Sequence, residues 1–141
     1  MSSSADLRPD HAILQFSGVT LGYGEFTVLS DVNLEVHRGQ VVAMMGGSGS
    51  GKTTLLRGAT GQLAPQAGTI SVFDQDIAHV SGDTLRELRQ RRGVLFQQGA
   101  LFTDLDVFEN VAFPLREHTQ RPEKEIVELV LDKRDAVGLR A

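Results

Sequence analysis

The stretch Gly46-Gly47-Ser48-Gly49-Ser50-Gly51-Lys52-Thr53-Thr54 constrains this chain more than any other. It fits the spacing G-x-x-x-x-G-K-[ST] of a phosphate-binding (Walker A) loop. Its flanks fit as well. Val41-Val42-Ala43-Met44-Met45 is an apolar run of strand length, and Lys52 to Arg57 opens a helix that Gly61 can stop. Strand, glycine loop, helix is the order such a loop needs. The competing reading is a flexible Gly/Ser linker before a lysine. The four fixed positions arise by chance in roughly 0.5% of chains this long, and the flanks weaken that reading further.

The residue types carry the chemistry. Gly46, Gly47, Gly49 and Gly51 let successive backbone N–H groups turn into one concavity, with Ser48 and Ser50 between them. The first turn of the following helix adds unpaired N–H groups and the positive end of its dipole. Together they suit a phosphate chain, hence ATP as cofactor. Lys52 is expected to reach the β- and γ-phosphates as a point charge, and the Thr53 hydroxyl to ligate Mg²⁺. Thr54 is expected to support the loop and the helix start.

The net charge is −4, which removes the global electrostatic case for nucleic acid. Cysteine is absent, so there is neither a disulfide frame nor a thiolate metal site. No apolar run approaches the ~18 residues of a membrane span, and the N-terminus lacks the basic and apolar regions of a signal peptide. A cytoplasmic protein is expected, with membrane contact only through a partner.

Along the chain, residues 1–11 are polar and read as a flexible tail. Ala12 to Phe16 reads as a strand, with turns at Gly18 and at Leu21 to Gly24. Val32, Leu34 and Val36 alternate with Asn33 and Glu35, a half-buried strand. Tyr23 is the chain's single tyrosine. From the residues alone it is a turn aromatic at the sheet edge or a ring for an adenine base. Thr69 to Phe73 reads as a strand and Asp74-Gln75-Asp76 as a turn. Asp83 to Arg92 reads as a charged helix whose four arginines form a solvated face. Val94-Leu95-Phe96 reads as a buried strand delivering Gln97-Gln98. Asp106 with Glu109 makes a capping-box start for a helix that Pro114 ends. A last helix begins near Pro122 and carries Ile126, Leu129, Val130 and Val137. Gly138 and Leu139 close it as a Schellman end.

This order of features resembles the front half of an ABC-transporter nucleotide-binding subunit. The resemblance implies an α/β P-loop NTPase fold: a RecA-like core, an antiparallel β subdomain and the start of a helical subdomain, over residues 12–141. It assigns Tyr23 to stacking on adenine and Gly46 to Thr54 to ATP, although Gly47 stands where the family often has proline. It assigns Gln97, which directly follows its strand, to Mg²⁺ and the attacking water. The run from Leu95 to Asp104, continued by Val107-Phe108-Glu109-Asn110-Val111-Ala112-Phe113-Pro114-Leu115-Arg116-Glu117-His118-Thr119, is similar to ATPase subunits of the Mla (toluene-tolerance) type. That family moves phospholipids between the inner and outer membranes of Gram-negative bacteria. The similarity implies a permease docked near Gln97 to Leu115, a second ATPase subunit as a homodimer, and indirectly an MCE-domain lipid-binding protein. It places the protein on the cytoplasmic face of the inner membrane. Phe102, Phe108 and Phe113 are then expected to be partly interface.

From Gly99 to Ala141 there is no Walker B strand ending in Asp-Glu, no Ser-Gly-Gly signature and no switch histidine. Val127 to Asp132 is helical in period, and Lys133 stands where the acid would be. The chain therefore reads as an N-terminal portion that holds nucleotide without turning it over, since phosphoryl transfer depends on positioned charge. A sheet cut midway is expected to leave an edge and an apolar face uncovered. The ATPase of another ABC transporter, a non-catalytic permease-docking segment and a small P-loop kinase stay open as alternatives.

Overall fold

The structure, a computed structural model, describes residues 11–96 and 99–139. Most of the expected tail, residues 1–10, lies outside the described residues. The chain forms two compact units, residues 1–93 and 94–141.

The first unit is built on a four-stranded antiparallel sheet in the order β2-β1-β3-β4. The strands are β1 (Ala12–Tyr23), β2 (Phe26–His37), β3 (Ala67–Val72) and β4 (Gln75–Asp76). β1 runs through Gly18 and Leu21-Gly22-Tyr23, where turns were expected; only Gly24-Glu25 turns, joining Tyr23 to Phe26. The reason is a bulge. Pairing steps from Phe16↔Leu34 to Val19↔Val32, three residues on β1 against two on β2. Gly18 takes a φ of 58° there, and Asn33 Oδ1 accepts its N–H at 2.8 Å. A strand otherwise alternates faces, so Phe16 and Val19 would point oppositely. The extra residue puts Phe16, Val19 and Leu21 into one core. Ile70, Val72, Ile77 and Leu88 complete it.

Gln75 and Asp76 were expected in a turn and form β4 instead. The turn is one residue earlier, at Phe73 and Asp74, both at positive φ as a two-residue hairpin requires. α1 (Lys52–Ala59) lays Thr54 and Gly58, one turn apart, in the buried layer. It ends in a full Schellman motif, with Gln62 N–H on Arg57 O at 2.8 Å and Gly61 N–H on Gly58 O at 3.0 Å. α2 (Gly82–Gln90) starts from Ser81, whose hydroxyl accepts from Thr84 N–H, and buries Leu88.

Three of the four arginines of this segment make contacts within the unit, while Arg86 stays exposed on the expected solvated face. Arg92 Nη1 donates to Ala59 O at 2.6 Å, Arg89 Nη2 to Gly61 O at 3.0 Å, and Arg91 lies 3.9 Å over the Phe73 ring. The end of α1 presents unpaired carbonyls and negative dipole charge, and these cations answer it. Burial lowers the Arg92 guanidinium below its ordinary value, and the charge of Arg89 adds to the effect.

The strands expected at Val41 to Met45 and Val94 to Phe96 are not formed. Val41 is 98% exposed and Leu95 90%. An apolar run becomes a strand only when a neighbour answers its N–H and C=O groups, and neither run has a ladder partner among the described residues. Val42 and Met44 instead line an apolar hollow with Leu14, Leu34 and Leu55. The antiparallel subdomain and α1 are thus present, and no parallel strand pair is seen among the described residues.

The second unit is a pair of helices, α3 (Val107–His118) and α4 (Glu123–Ala136). Asp106 Oδ1 caps Glu109 N–H at 2.8 Å, as expected, but Glu109 does not return the bond; its carboxylate goes to Arg116. Pro114 does not end α3. It gives no N–H to the Asn110 carbonyl one turn back, yet the helix continues to His118. Ala112 and Leu115, either side of the proline, pack in the cluster of Ile126 and Val130, and that burial holds the helix through the missing bond. α4 caps at Pro122 and buries Ile126 and Val130. Val137 is its exposed C-cap rather than part of the apolar stripe. Leu139 N–H on Arg134 O and Gly138 N–H on Asp135 O form the expected Schellman end. Arg116 forks between Glu109 and Glu123 and ties α3 to α4.

Candidate phosphate-binding site

The glycine loop runs directly into α1. Gly51 is the N-cap residue, with φ 90° and ψ 5°. A side chain there would be strained, and a Cβ would lie 2.8 Å from Leu29 Cδ2 and 3.2 Å from Val28 Cγ1. β2 therefore presses against the loop where its backbone must turn left-handed. Ser50 N–H bonds Gly47 O at 3.3 Å, and Leu55 N–H bonds Gly51 O at 2.8 Å, beginning the helix.

The start of α1 has no side-chain cap and no acid in its first turn. Helix starts ordinarily carry such partners for their unpaired N–H groups. Lys52 turns back over the loop, its Nζ donating to Gly46 O at 2.7 Å, Gly47 O at 2.6 Å and Ser50 Oγ at 3.2 Å. A cation folded over uncapped amides makes a concavity suited to an anion. The site fits a phosphate chain by this test. The metal is less provided for: no cluster of three or more His, Cys, Asp or Glu side chains able to hold one occurs among the described residues. Thr53, exposed in the first turn of α1, is the described hydroxyl next to Lys52.

Thr54 is buried and hydrogen-bonds the Tyr23 hydroxyl. Arg57 Nη1 donates to the same hydroxyl at 2.9 Å. Both bonds favour the phenolate, Thr54 more than Arg57, and hold the Tyr23 pKa below its ordinary 10.0. The ring is 44% exposed. The structure thus brings Tyr23 to α1 beside the loop's own helix. Gln97 lies outside the described residues. Arg57 escaped the sequence reading, because a basic residue in a last helical turn ordinarily signals only the dipole.

In the second unit Phe102 and Phe113 form an edge-to-face pair, centroids 4.8 Å apart, 48% and 41% exposed. Phe108 packs instead on the Ala112 cluster. Asn110 fixes the loop carrying Phe102. Its Oδ1 accepts from Phe102 N–H at 2.9 Å, and its amide nitrogen meets the carbonyls of Phe102, Leu105 and Asp106. No helix among the described residues is long and apolar enough to cross a membrane.

Comparison with known proteins bears on what these groups serve. Residues 29–140 match the family model described as ABC transporter. The chain is 48% identical over 128 residues to an intermembrane phospholipid transport system ATP-binding protein, MlaF, of Haemophilus influenzae, and 45% identical to that of Escherichia coli K12. Each match covers 91% of this chain and 48% of the relative, so the chain spans about half the length of the curated relatives it matches. A solved ATP-binding cassette, a dimer in a post-hydrolysis state with ADP and Pi, superposes with a TM-score of 0.74 at 29% identity. That match covers 84% of this chain and 54% of the other.

Proposed function

We propose, from the premise that this chain belongs to the ABC transporter family, that it is the ATP-binding portion of a subunit that energises phospholipid transport between the two membranes of a Gram-negative envelope. The observation that carries the reading is the uncapped start of α1 beneath Lys52 and the glycine loop. The identity to the phospholipid-transport relatives supports the cargo.

In this reading the amides from Gly46 to Thr54 hold the phosphate chain. Lys52 leaves the loop carbonyls for the β- and γ-phosphates, exchanging neutral acceptors for charged ones. Thr53 and Gln97 serve Mg²⁺, which neutralises charge on the phosphate oxygens when bound. The Tyr23 ring receives the adenine. The exposed Phe102–Phe113 pair is the apolar centre of a permease dock reaching from Gln97 to Leu115. A homodimer of the subunit, an MCE-domain protein reached through the permease, and the cytoplasmic face of the inner membrane complete the proposal.

A second reading, a segment that binds nucleotide and docks without turnover, is favoured by one observation. Residues 99–141 contain no Asp-Glu strand, no Ser-Gly-Gly signature and no switch histidine. Residues 1–141 by themselves are then expected to bind ATP and release no phosphate.

The cargo is tested by fusing the chain to the second half of the Haemophilus influenzae relative. The fusion is expressed in a strain lacking its phospholipid-transport ATPase. Restored lipid asymmetry, measured as loss of surface-exposed phospholipid, is expected. A fusion that hydrolyses ATP yet restores nothing assigns the chain to another transporter.

A further inference from the structure

The Tyr23 ring is not a free side chain at a hairpin end. Its hydroxyl accepts from Arg57 Nη1 at 2.9 Å and is also bonded to Thr54. The Arg57 guanidinium carbon lies 6.0 Å from the ring centroid. The turn that follows the ring is tied down separately, Gln66 Nε2 donating to Gly24 O at 2.7 Å. Thr54 and Arg57 both belong to α1, whose N-terminus forms the phosphate cradle. One short helix therefore holds the anion site at its start and the ring's polar end along its side.

We propose that Arg57 is a positioning residue for nucleotide binding: it fixes the Tyr23 ring as a preset face for the base, and so couples the base site rigidly to the phosphate loop. The inference rests on the reading of Tyr23 as the adenine platform. An aromatic face fixed before binding spares the ligand the ordering of a side chain, an effect of about three- to tenfold in affinity. Arg57 lies in the last turn of α1, away from the phosphate cradle at its start, so its effect is expected on ligands with a base.

The test measures the affinity of the full chain for ATP and for tripolyphosphate, which has no base. The variants are Arg57→Met, Arg57→Lys, Tyr23→Phe and Tyr23→Ala. The chain has one tyrosine and no tryptophan, so intrinsic emission reports Tyr23 alone wherever it is kept; calorimetry serves the others. Arg57→Met and Tyr23→Phe are each expected to weaken ATP three- to tenfold and to leave tripolyphosphate unchanged. Their combination is expected to be no worse than Tyr23→Phe alone, because that variant already removes the Arg57 bond. Arg57→Lys, which keeps a donor and the charge, is expected to recover part of the loss. Equal weakening of both ligands by Arg57→Met, or no weakening of ATP, overturns the inference. Tyr23→Phe leaves α1 intact and decides the matter should Arg57→Met unfold. If Tyr23→Ala leaves ATP affinity unchanged, the platform reading fails. If Tyr23→Ala weakens ATP while Arg57→Met and Tyr23→Phe do not, only the role of Arg57 fails.

Discussion

Gly51→Ala is the sharpest perturbation the site offers. At φ 90° an L-residue meets a penalty of about 1–2 kcal/mol. The new methyl would also lie 2.8 Å and 3.0 Å from Leu29 carbons and 3.2 Å from Val28 Cγ1. Overpacking of that kind costs about 1–3 kcal/mol. The two effects are separate, one local and one between elements, so they add to about 2–5 kcal/mol. Domains of this size have only about 5–15 kcal/mol in total. Gly47→Ala is the control. Gly47 is not among the residues at positive φ, and a Cβ there meets nothing within 4 Å. It is expected to change stability by less than about 0.5 kcal/mol. Urea denaturation followed by far-UV circular dichroism reads both. With a slope of about 1–3 kcal/mol per molar, Gly51→Ala is expected to lower the midpoint by about 0.7 M or more. Coincident curves for the two variants would refute the claim that β2 shapes the loop through Gly51.

Two further outcomes follow from the second unit. Pro114→Ala is expected to stabilise it. An interior proline costs a helix about 3 kcal/mol, and its restriction of the unfolded chain returns about 0.4–1, leaving a net gain of about 2. A lower thermal midpoint for Pro114→Ala would show that Pro114 is required where it stands. The Arg116 fork makes the helix pair acid-sensitive. The guanidinium beside Glu123 holds its carboxyl below the ordinary value, with a small opposing effect of desolvation. A carboxyl lowered by folding adds stability above its unfolded value, and that stability is lost as pH falls through the folded one. Arg116→Met is expected to flatten stability against pH below the ordinary carboxylate range, measured by thermal melts from pH 6 to pH 2. An unchanged slope would mean the fork carries no linkage.

What the sequence made legible was local. The glycine loop, the start of α1, the cap at Asp106 and the glycine ends at Gly61 and Gly138 each depend on a few adjacent residues, and they stand as expected. What it hid was relational. Val41 to Met45 and Val94 to Phe96 are apolar enough for strands, but strand formation is a property of pairs. Pro114 is a strong breaker, overruled by burial of Ala112 and Leu115 on either side. The bulge at Gly18 reads as a turn because a glycine after a serine looks alike in both. Arg89 and Arg92 look solvated until the carbonyl end of α1 is placed beneath them. Tyr23 shows its partners only once the β1–β2 hairpin and α1 meet.

The central claim is that the loop under Lys52 holds the phosphates of ATP. Equilibrium binding of labelled ATP to the chain and to its Lys52→Ala variant tests it most directly. A bond between a cation and a charged acceptor contributes about 1.5–3 kcal/mol, so a loss of at least about tenfold is predicted with far-UV circular dichroism unchanged. Equal ATP affinity in the two proteins would contradict the assignment.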